Sequence, residues 1–289
     1  MEGFKKVFDG IAAKAEANAQ QRVREGFSES LRDDGLLHCD VCGDPTETVI
    51  HVFGKDRKVR IICSCTQAEK DLQNKIQEAR ELKLKIARAR AVAFSDTKML
   101  TWTFENADNG QPKAMQAARA FSQHYEDFRA AGKGLLLFGD VGTGKTFTAA
   151  CIANEVINKG HSVLMTSFGR ILRGVQDRYD GRGEYLAYIN SFDLLIIDDL
   201  DAERSTEFSS EIIYSVIDAR YRSKRPLIVT TNLTWDELAD TADRAKKRIY
   251  SRLIEICYPV KFEGEDRRKA AAASSFDEFN KILHGSDGE

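Results

Sequence analysis

No stretch of this chain is apolar for long enough to cross a bilayer as a helix, which removes a transmembrane helix from consideration. The N-terminus also lacks a signal-peptide pattern, and from these two absences a soluble, cytoplasmic protein with no membrane partner is expected. An excess of one charge is missing as well. Forty-three Lys and Arg face forty-five Asp and Glu, a net charge of −2. Such a balance gives no overall attraction for nucleic acid, so any contact of that kind has to come from a local basic surface. A disulfide framework is the third absence. Of six cysteines, four lie between Cys39 and Cys65, while Cys151 and Cys257 sit in apolar segments. That uneven usage fits a reducing compartment. What is present is a 42% hydrophobic content over 289 residues, enough for one large domain with a core plus a smaller one.

The most informative stretch is residues 134–157. Leu135, Leu136, Leu137 and Phe138 make a short apolar run of buried-strand length. Gly139, Asp140, Val141, Gly142, Thr143, Gly144, Lys145 and Thr146 then fit G-x-x-x-x-G-K-[ST] without a mismatch. The residues after Thr146 read as a helix. Each type has a reason to be there. The glycines let backbone N–H groups approach phosphate oxygens. The helix start turns its positive end toward the same anion. Lys145 sets a cation against the terminal phosphates, and the Thr146 hydroxyl is the expected Mg²⁺ ligand of an ATP site. A Gly-rich turn would match by chance only without this strand–loop–helix context.

Some fifty residues on, residues 193–199 read Asp-Leu-Leu-Ile-Ile-Asp-Asp. The apolar run predicts a buried parallel strand. Asp198 falls at its C-terminal end, where open α/β sheets bind ligands, and is expected to help hold Mg²⁺. Asp199 is expected to orient or deprotonate the attacking water. Residues 226–232 form a further strand ending in polar residues, with Asn232 placed to position that water. Trp102 and Phe104 precede a helix expected over residues 112–131; either they wall a base pocket or they are core residues.

Upstream, Cys39-Asp40-Val41-Cys42 and Cys63-Ser64-Cys65 flank a stretch that reads as a hairpin, with strands at 49–53 and 59–62 around Gly54-Lys55-Asp56. Two close thiolate pairs joined in this way suit a tetrahedral Zn²⁺ held by Cys39, Cys42, Cys63 and Cys65. Redox-active or merely buried thiols are the competing readings. His38 and His51 could substitute as ligands, but four cysteines suffice and leave no open position, so the site reads as structural. Residues 1 to about 32 carry Phe4, Val7, Ile11, Ala12 and Ala15 at helical spacing, either a solvated helix or a docking arm. Residues 66–92 form a charged helical run, preferred as a connector over a nucleic-acid contact. Arg170, Arg173, Arg178 and Arg182 make 168–190, a helical stretch broken near Gly181, a basic candidate for single-strand contact. A boundary near residue 94 then gives an N-terminal domain over 1–93 and a second over 94–289.

The order of these motifs, with Thr230-Thr231-Asn232, residues 248–253 and Asp266-Arg267-Arg268, resembles the AAA+ ATPases of the helicase-loader group, the DnaC/DnaI proteins of bacteria and phages, related to the IstB transposition ATPases. The resemblance covers roughly residues 102–269. It implies an α/β P-loop NTPase fold with a mostly parallel five-stranded sheet, preceded by a small zinc-binding domain that engages the helicase. It implies ATP hydrolysis, slow and stimulated by single-stranded DNA. The implied function is ATP-dependent loading of a hexameric DnaB-type replicative helicase onto single-stranded DNA. Asn232 looks like the sensor-1 residue, Arg252 like an arginine finger reaching a neighbouring subunit's ATP with Arg248 assisting, and Arg267 like the sensor-2 arginine, with Arg268 as the alternative register. A finger of that kind requires self-association. Many relatives of this class carry Glu where this chain has Asp199, and the shorter carboxylate suits a slow switch. An IstB-like transposition helper, and a zinc-dependent binding module using ATP structurally, are the other functions the motifs allow.

Overall fold

The structure, a computed structural model, describes residues 28–107, 110–178, 180–200 and 206–267, together with Lys269 and Phe276. It divides into two compact units, residues 1–81 and 82–289.

In the first unit, β1 (Glu29–Leu31) pairs antiparallel with β2 (Leu37–Cys39), and β3 (Glu47–Val52) with β4 (Lys55–Arg60). The helix expected up to residue 32 lies outside the described residues as far as residue 27. Its last residues are strand instead, because Glu29 pairs with Cys39 and its carboxylate takes an ion pair from Arg60 at 2.5 Å. The β3–β4 loop is shorter than expected. Phe53 and Gly54 alone make the turn, both at positive φ (54° and 75°), and Lys55 and Asp56 already belong to the strand. Consecutive positive φ values give a two-residue hairpin the twist its strands need. Helix α1 (Ser64–Ala93) follows. The compact division falls inside it, at residues 81 and 82, twelve residues before the boundary expected from sequence. Beyond that point Ile86, Ala89 and Ala93 pack on the core of the second unit.

The second unit continues with α2 (Pro112–Gln123), α3 (Tyr125–Ala131), β5 (Gly134–Gly139), α4 (Lys145–Asn158), β6 (Val163–Ser167), α5 (Phe168–Gln176), α6 (Arg182–Ser191), β7 (Leu194–Asp198), α7 (Glu207–Ser223), β8 (Leu227–Thr231), α8 (Trp235–Ala239), α9 (Arg244–Ile256) and β9 (Cys257–Phe262). The single helix expected over 112–131 is two, because His124 leaves helical geometry at φ −99°, ψ 28°. Helix α7 starts at Glu207, where Thr206 and Ser209 form a reciprocal cap.

The strands order as β6-β7-β8-β5-β9 and every neighbouring pair is parallel. Parallel sheets are covered on both faces, which is why β5, β7 and β8 carry continuous apolar runs rather than alternating ones. Alternation survives as a choice of core. Leu135, Leu137, Leu194, Ile196 and Ile228 pack with α2 and α4, while Leu136, Phe138, Leu195, Ile197, Leu227 and Val229 pack with α5, α7 and α9. Arg220 is fully buried and donates to the carbonyls of Asn190, Phe192, Asp193 and Pro226, tying together the chain entering β7 and β8. The rigid sheet leaves its C-terminal strand ends to carry the chemistry.

Candidate functional site

At the C-terminal end of β5 the chain turns sharply into α4. Gly139 has φ 123°, and a side chain there would place its Cβ 2.1 Å from the Phe262 carbonyl oxygen of β9. Gly142 has φ 76°, and a Cβ there would meet the Asp266 carboxylate at 1.8 Å. Only glycine passes at both places. Thr143, 1% exposed, braces the loop by donating to the Asp140 carbonyl at 2.8 Å. Lys145 is 5% exposed and donates from Nζ to the carbonyls of Gly139 (2.8 Å) and Asp140 (2.5 Å). Its charge is therefore held within the loop at the start of α4, where the helix end is positive and an anion is favoured.

The second acid arrives from β7. Thr146 Oγ1 donates to Asp198 Oδ1 at 2.9 Å across 52 residues of sequence. Thr230 Oγ1, from fully buried β8, donates to the same oxygen at 2.7 Å. Burial holds the Asp198 carboxyl above its ordinary range, opposed by the two threonine hydroxyls. An oxygen-rich pair on adjoining elements is the donor set a hard divalent cation takes, so Thr146 and Asp198 fit Mg²⁺. Asp199 follows at φ 53°, a left-handed backbone for which Asp is one of the tolerant types. Its N–H donates to Thr230 Oγ1 at 2.9 Å, so Thr230 fixes both acids at once.

Lys145, Thr146, Asp198 and Asp199 line one cleft of about 590 Å³ with Val141, Gly142, Gly144, Phe147, Asn232, Arg267, Trp102 and Asn106. Asn232 is exposed just past the end of β8. Arg267 docks by its backbone N–H on the Gly142 carbonyl at 3.1 Å. Arg268 lies outside the described residues. Of the two aromatics, Phe104 is core at 3% exposure. Trp102 reaches the cleft and packs on Phe147 with ring centroids 5.5 Å apart. Asn154 holds it by donating to the carbonyls of Met99 and Trp102, each at 2.8 Å. Arg252 does not line the cleft. It lies on α9 against α7, paired with Asp218 at 2.8 Å. Thr230, Phe147 and Asn154 were not foreseen from sequence; the one signal for Thr230 was a hydroxyl at a buried strand position.

In the first unit the Sγ atoms of Cys39, Cys42, Cys63 and Cys65 lie within 4.8 Å of one another, with Cys63 to Cys65 at 3.4 Å and Cys39 to Cys65 at 3.6 Å. A tetrahedron of thiolates about 2.3 Å from a zinc ion has edges of ~3.8 Å, so the four sulfurs fit that metal. Gly43, at φ 78°, closes the turn after the first pair and its N–H donates to the Cys39 carbonyl at 2.9 Å. The backbone N–H groups of Cys65 and Asp44 pull Cys42 down to about 6, which favours its thiolate form. Both ring nitrogens of His38 are engaged, with the Gly43 carbonyl and with Asp34, and His51 pairs with Asp56. Neither histidine belongs to the cluster.

A parallel sheet that delivers a glycine-rich loop, its lysine and a strand-end acid to one cleft defines a P-loop NTPase of the AAA+ class. Within it, the chain belongs to the IstB-like ATP binding protein family, whose model matches residues 69–275. It is similar to the replicative helicase loader DnaI of Bacillus subtilis (strain 168), 29% identical over 188 residues, which covers 59% of each protein. It is also similar to the replicative helicase loader DnaC of Escherichia coli (strain K12), 32% identical over 133 residues, 45% of this chain and 53% of that one. The matched segments thus span between about half and three-fifths of these relatives' own length. Among solved structures, that of DnaI aligns with a TM-score of 0.51 at 26% identity, covering 62% of this chain and 99% of that one. The DnaC helicase loader aligns with a TM-score of 0.51 at 23% identity, covering 58% of this chain and 100% of that one, a likeness of fold.

Proposed function

We propose that this protein is an ATP-dependent loader of a hexameric DnaB-type replicative helicase onto single-stranded DNA, with ATP binding and hydrolysis as its switch. The observation that carries the reading is similarity to two proteins named replicative helicase loaders in a chain whose cleft assembles Lys145, Thr146 and Asp198. In this reading the loop N–H groups and Lys145 hold the terminal phosphates, and Thr146 and Asp198 hold Mg²⁺. A cation there would offset the negative charge that develops during phosphoryl transfer. Asp199 orients or deprotonates the attacking water, Asn232 positions it, and Arg267 reaches the nucleotide from the segment docked on Gly142. Trp102 and Phe147 offer aromatic faces to the base. Arg252, outside its own cleft, serves the nucleotide of a neighbouring copy, so the active form is a self-associated one on DNA. The cysteine unit, folded on one Zn²⁺, grips the helicase.

The family match itself favours a second reading, a transposition helper acting on duplex DNA. The cysteine unit favours the first. The test is loading onto closed circular single-stranded DNA. With the protein and ATP, the helicase should become topologically linked to the circle and co-sediment with it. If linkage is the same without the protein, the loader reading fails.

A further inference from the structure

The mechanism uses Arg252 but does not explain what aims it. An arginine on a helix surface samples many rotamers, and a guanidinium meant for another subunit's phosphate is useful only if held near one of them. The surroundings of Arg252 do this with side chains that have no part in the cleft. On α9, Arg248 and Arg252 stand one turn apart on the same face. Both guanidiniums lie against the ring of Tyr214 on α7, at 4.5 and 4.6 Å from its centroid. The Arg252 guanidinium is also 5.6 Å from the centroid of Tyr221. Tyr221 is itself fixed by donating to Glu255 of α9 at 2.9 Å. Asp218 takes Arg252 Nη2 at 2.8 Å, and its other oxygen takes Arg222 at 2.8 Å.

The geometry separates two functions of a guanidinium. Stacking uses its flat face, attracted by the negative face of the ring, whereas hydrogen bonding uses its edge. Asp218 occupies one corner of that edge, and a further N–H of Arg252 donates to the Tyr214 hydroxyl. Arg252 is therefore restrained by the ring, the hydroxyl and the carboxylate together, while its five N–H donors leave others for an incoming anion, and its side chain remains 27% exposed. Removing the ring would leave the Asp218 contact, which restrains one nitrogen but not the plane.

We propose that Tyr214 is a positioning residue for phosphoryl transfer in a neighbouring subunit, holding the Arg252 guanidinium through its ring and hydroxyl so that the remaining donors are presented across the interface. The proposal rests on the reading of Arg252 given above.

The test compares Tyr214→Leu, which fills the space without a π face, with Tyr214→Phe, which keeps the ring. Turnover stimulated by single-stranded DNA is measured alongside nucleotide affinity, with Arg252→Ala as the reference. Tyr214→Leu should lose roughly tenfold in kcat, on the scale of a partly desolvated cation–π contact, with nucleotide affinity unchanged. Tyr214→Phe, which keeps the ring but not the hydroxyl, should recover part of that loss. Mixing supplies a readout that a general packing defect would not move. Tyr214→Leu chains have intact clefts and only a misdirected arginine, so adding Lys145→Ala chains, which hold nucleotide weakly but carry a well-aimed Arg252, should restore turnover. If Tyr214→Leu keeps full turnover while Arg252→Ala loses it, Tyr214 does not position Arg252 and the proposal falls alone. If Tyr214→Leu is impaired but mixing restores nothing, its defect lies in its own cleft and the proposal again falls. If Arg252→Ala keeps full turnover, the reading beneath the proposal fails with it.

Discussion

Between Leu82 and Phe262, apolar side chains fill both faces of a five-stranded sheet, with Leu136, Leu137, Ile152, Ile196 and Val229 wholly out of solvent. Among the described residues before Leu82, the buried ones are Cys39, Thr46, Cys63 and Thr66. Each buried Leu or Ile of the larger unit contributes about 1.5–3 kcal/mol by leaving water. Among the described residues the smaller unit has no comparable set to bury, and two short hairpins are marginal by themselves. Its interior is where four sulfurs meet. The contrast teaches that the two units call for different sources of stability: one has hydrophobic burial, and for the other we propose a metal at the four sulfurs, whose binding energy would be folding energy.

The largest expected effect breaks the smaller unit alone. Cys63→Ser, or a strong chelator, should remove the single Zn²⁺, a loss on the order of 10 kcal/mol for a structural site. Hydrogen exchange should then show protection collapsing over β1 to β4 but kept in β5, β7 and β8. Metal-free protein with full protection in the smaller unit would refute the assignment. Next in size, and confined to the larger unit, is Arg252→Ala. It should leave nucleotide binding intact while lowering DNA-stimulated hydrolysis by ~10³–10⁵, the range of such arginines. Steady-state turnover at saturating ATP checks it. Lys145→Ala should weaken nucleotide binding by roughly 10- to 100-fold, the equivalent of losing charge-assisted hydrogen bonds. Fluorescent-nucleotide titration would show it, and unchanged affinity would remove the phosphate-loop role. The smallest effect belongs to Thr230→Val. This keeps the shape but removes the hydroxyl that donates to Asp198 and accepts from Asp199. Leaving a part-buried N–H unpaired costs up to about 1–3 kcal/mol, to be read as a lowered unfolding midpoint of the larger unit and a weaker Mg²⁺ dependence of nucleotide binding. The smaller unit's metal content should not change.

How much was legible in advance follows the same division between local and distant. The phosphate loop could be read because residues 139–146 are contiguous and their glycines answer to backbone geometry. The cysteine cluster could be read because metal ligands come in tight pairs whatever lies between them. The end of β7 could be read because a buried apolar run stops at two acids. Contacts made only by folding were not legible. Nothing local marks Thr230 as the hinge between Asp198 and Asp199, Asn154 as the clamp on Trp102, or Tyr214 as the platform for two arginines on another helix. Local periodicity also misjudged residues 29–31, which pair with β2 as a strand, and residues 112–131, where His124 breaks the helix.

The helicase-loading function is tested most directly by capturing the full chain with a DnaB-type helicase of the same cell or phage, with and without ATP, alongside Cys63→Ser. Capture by the parent chain is expected, lost in Cys63→Ser while that variant still binds nucleotide. Absence of binding to any such helicase, or binding untouched by Cys63→Ser, would contradict it.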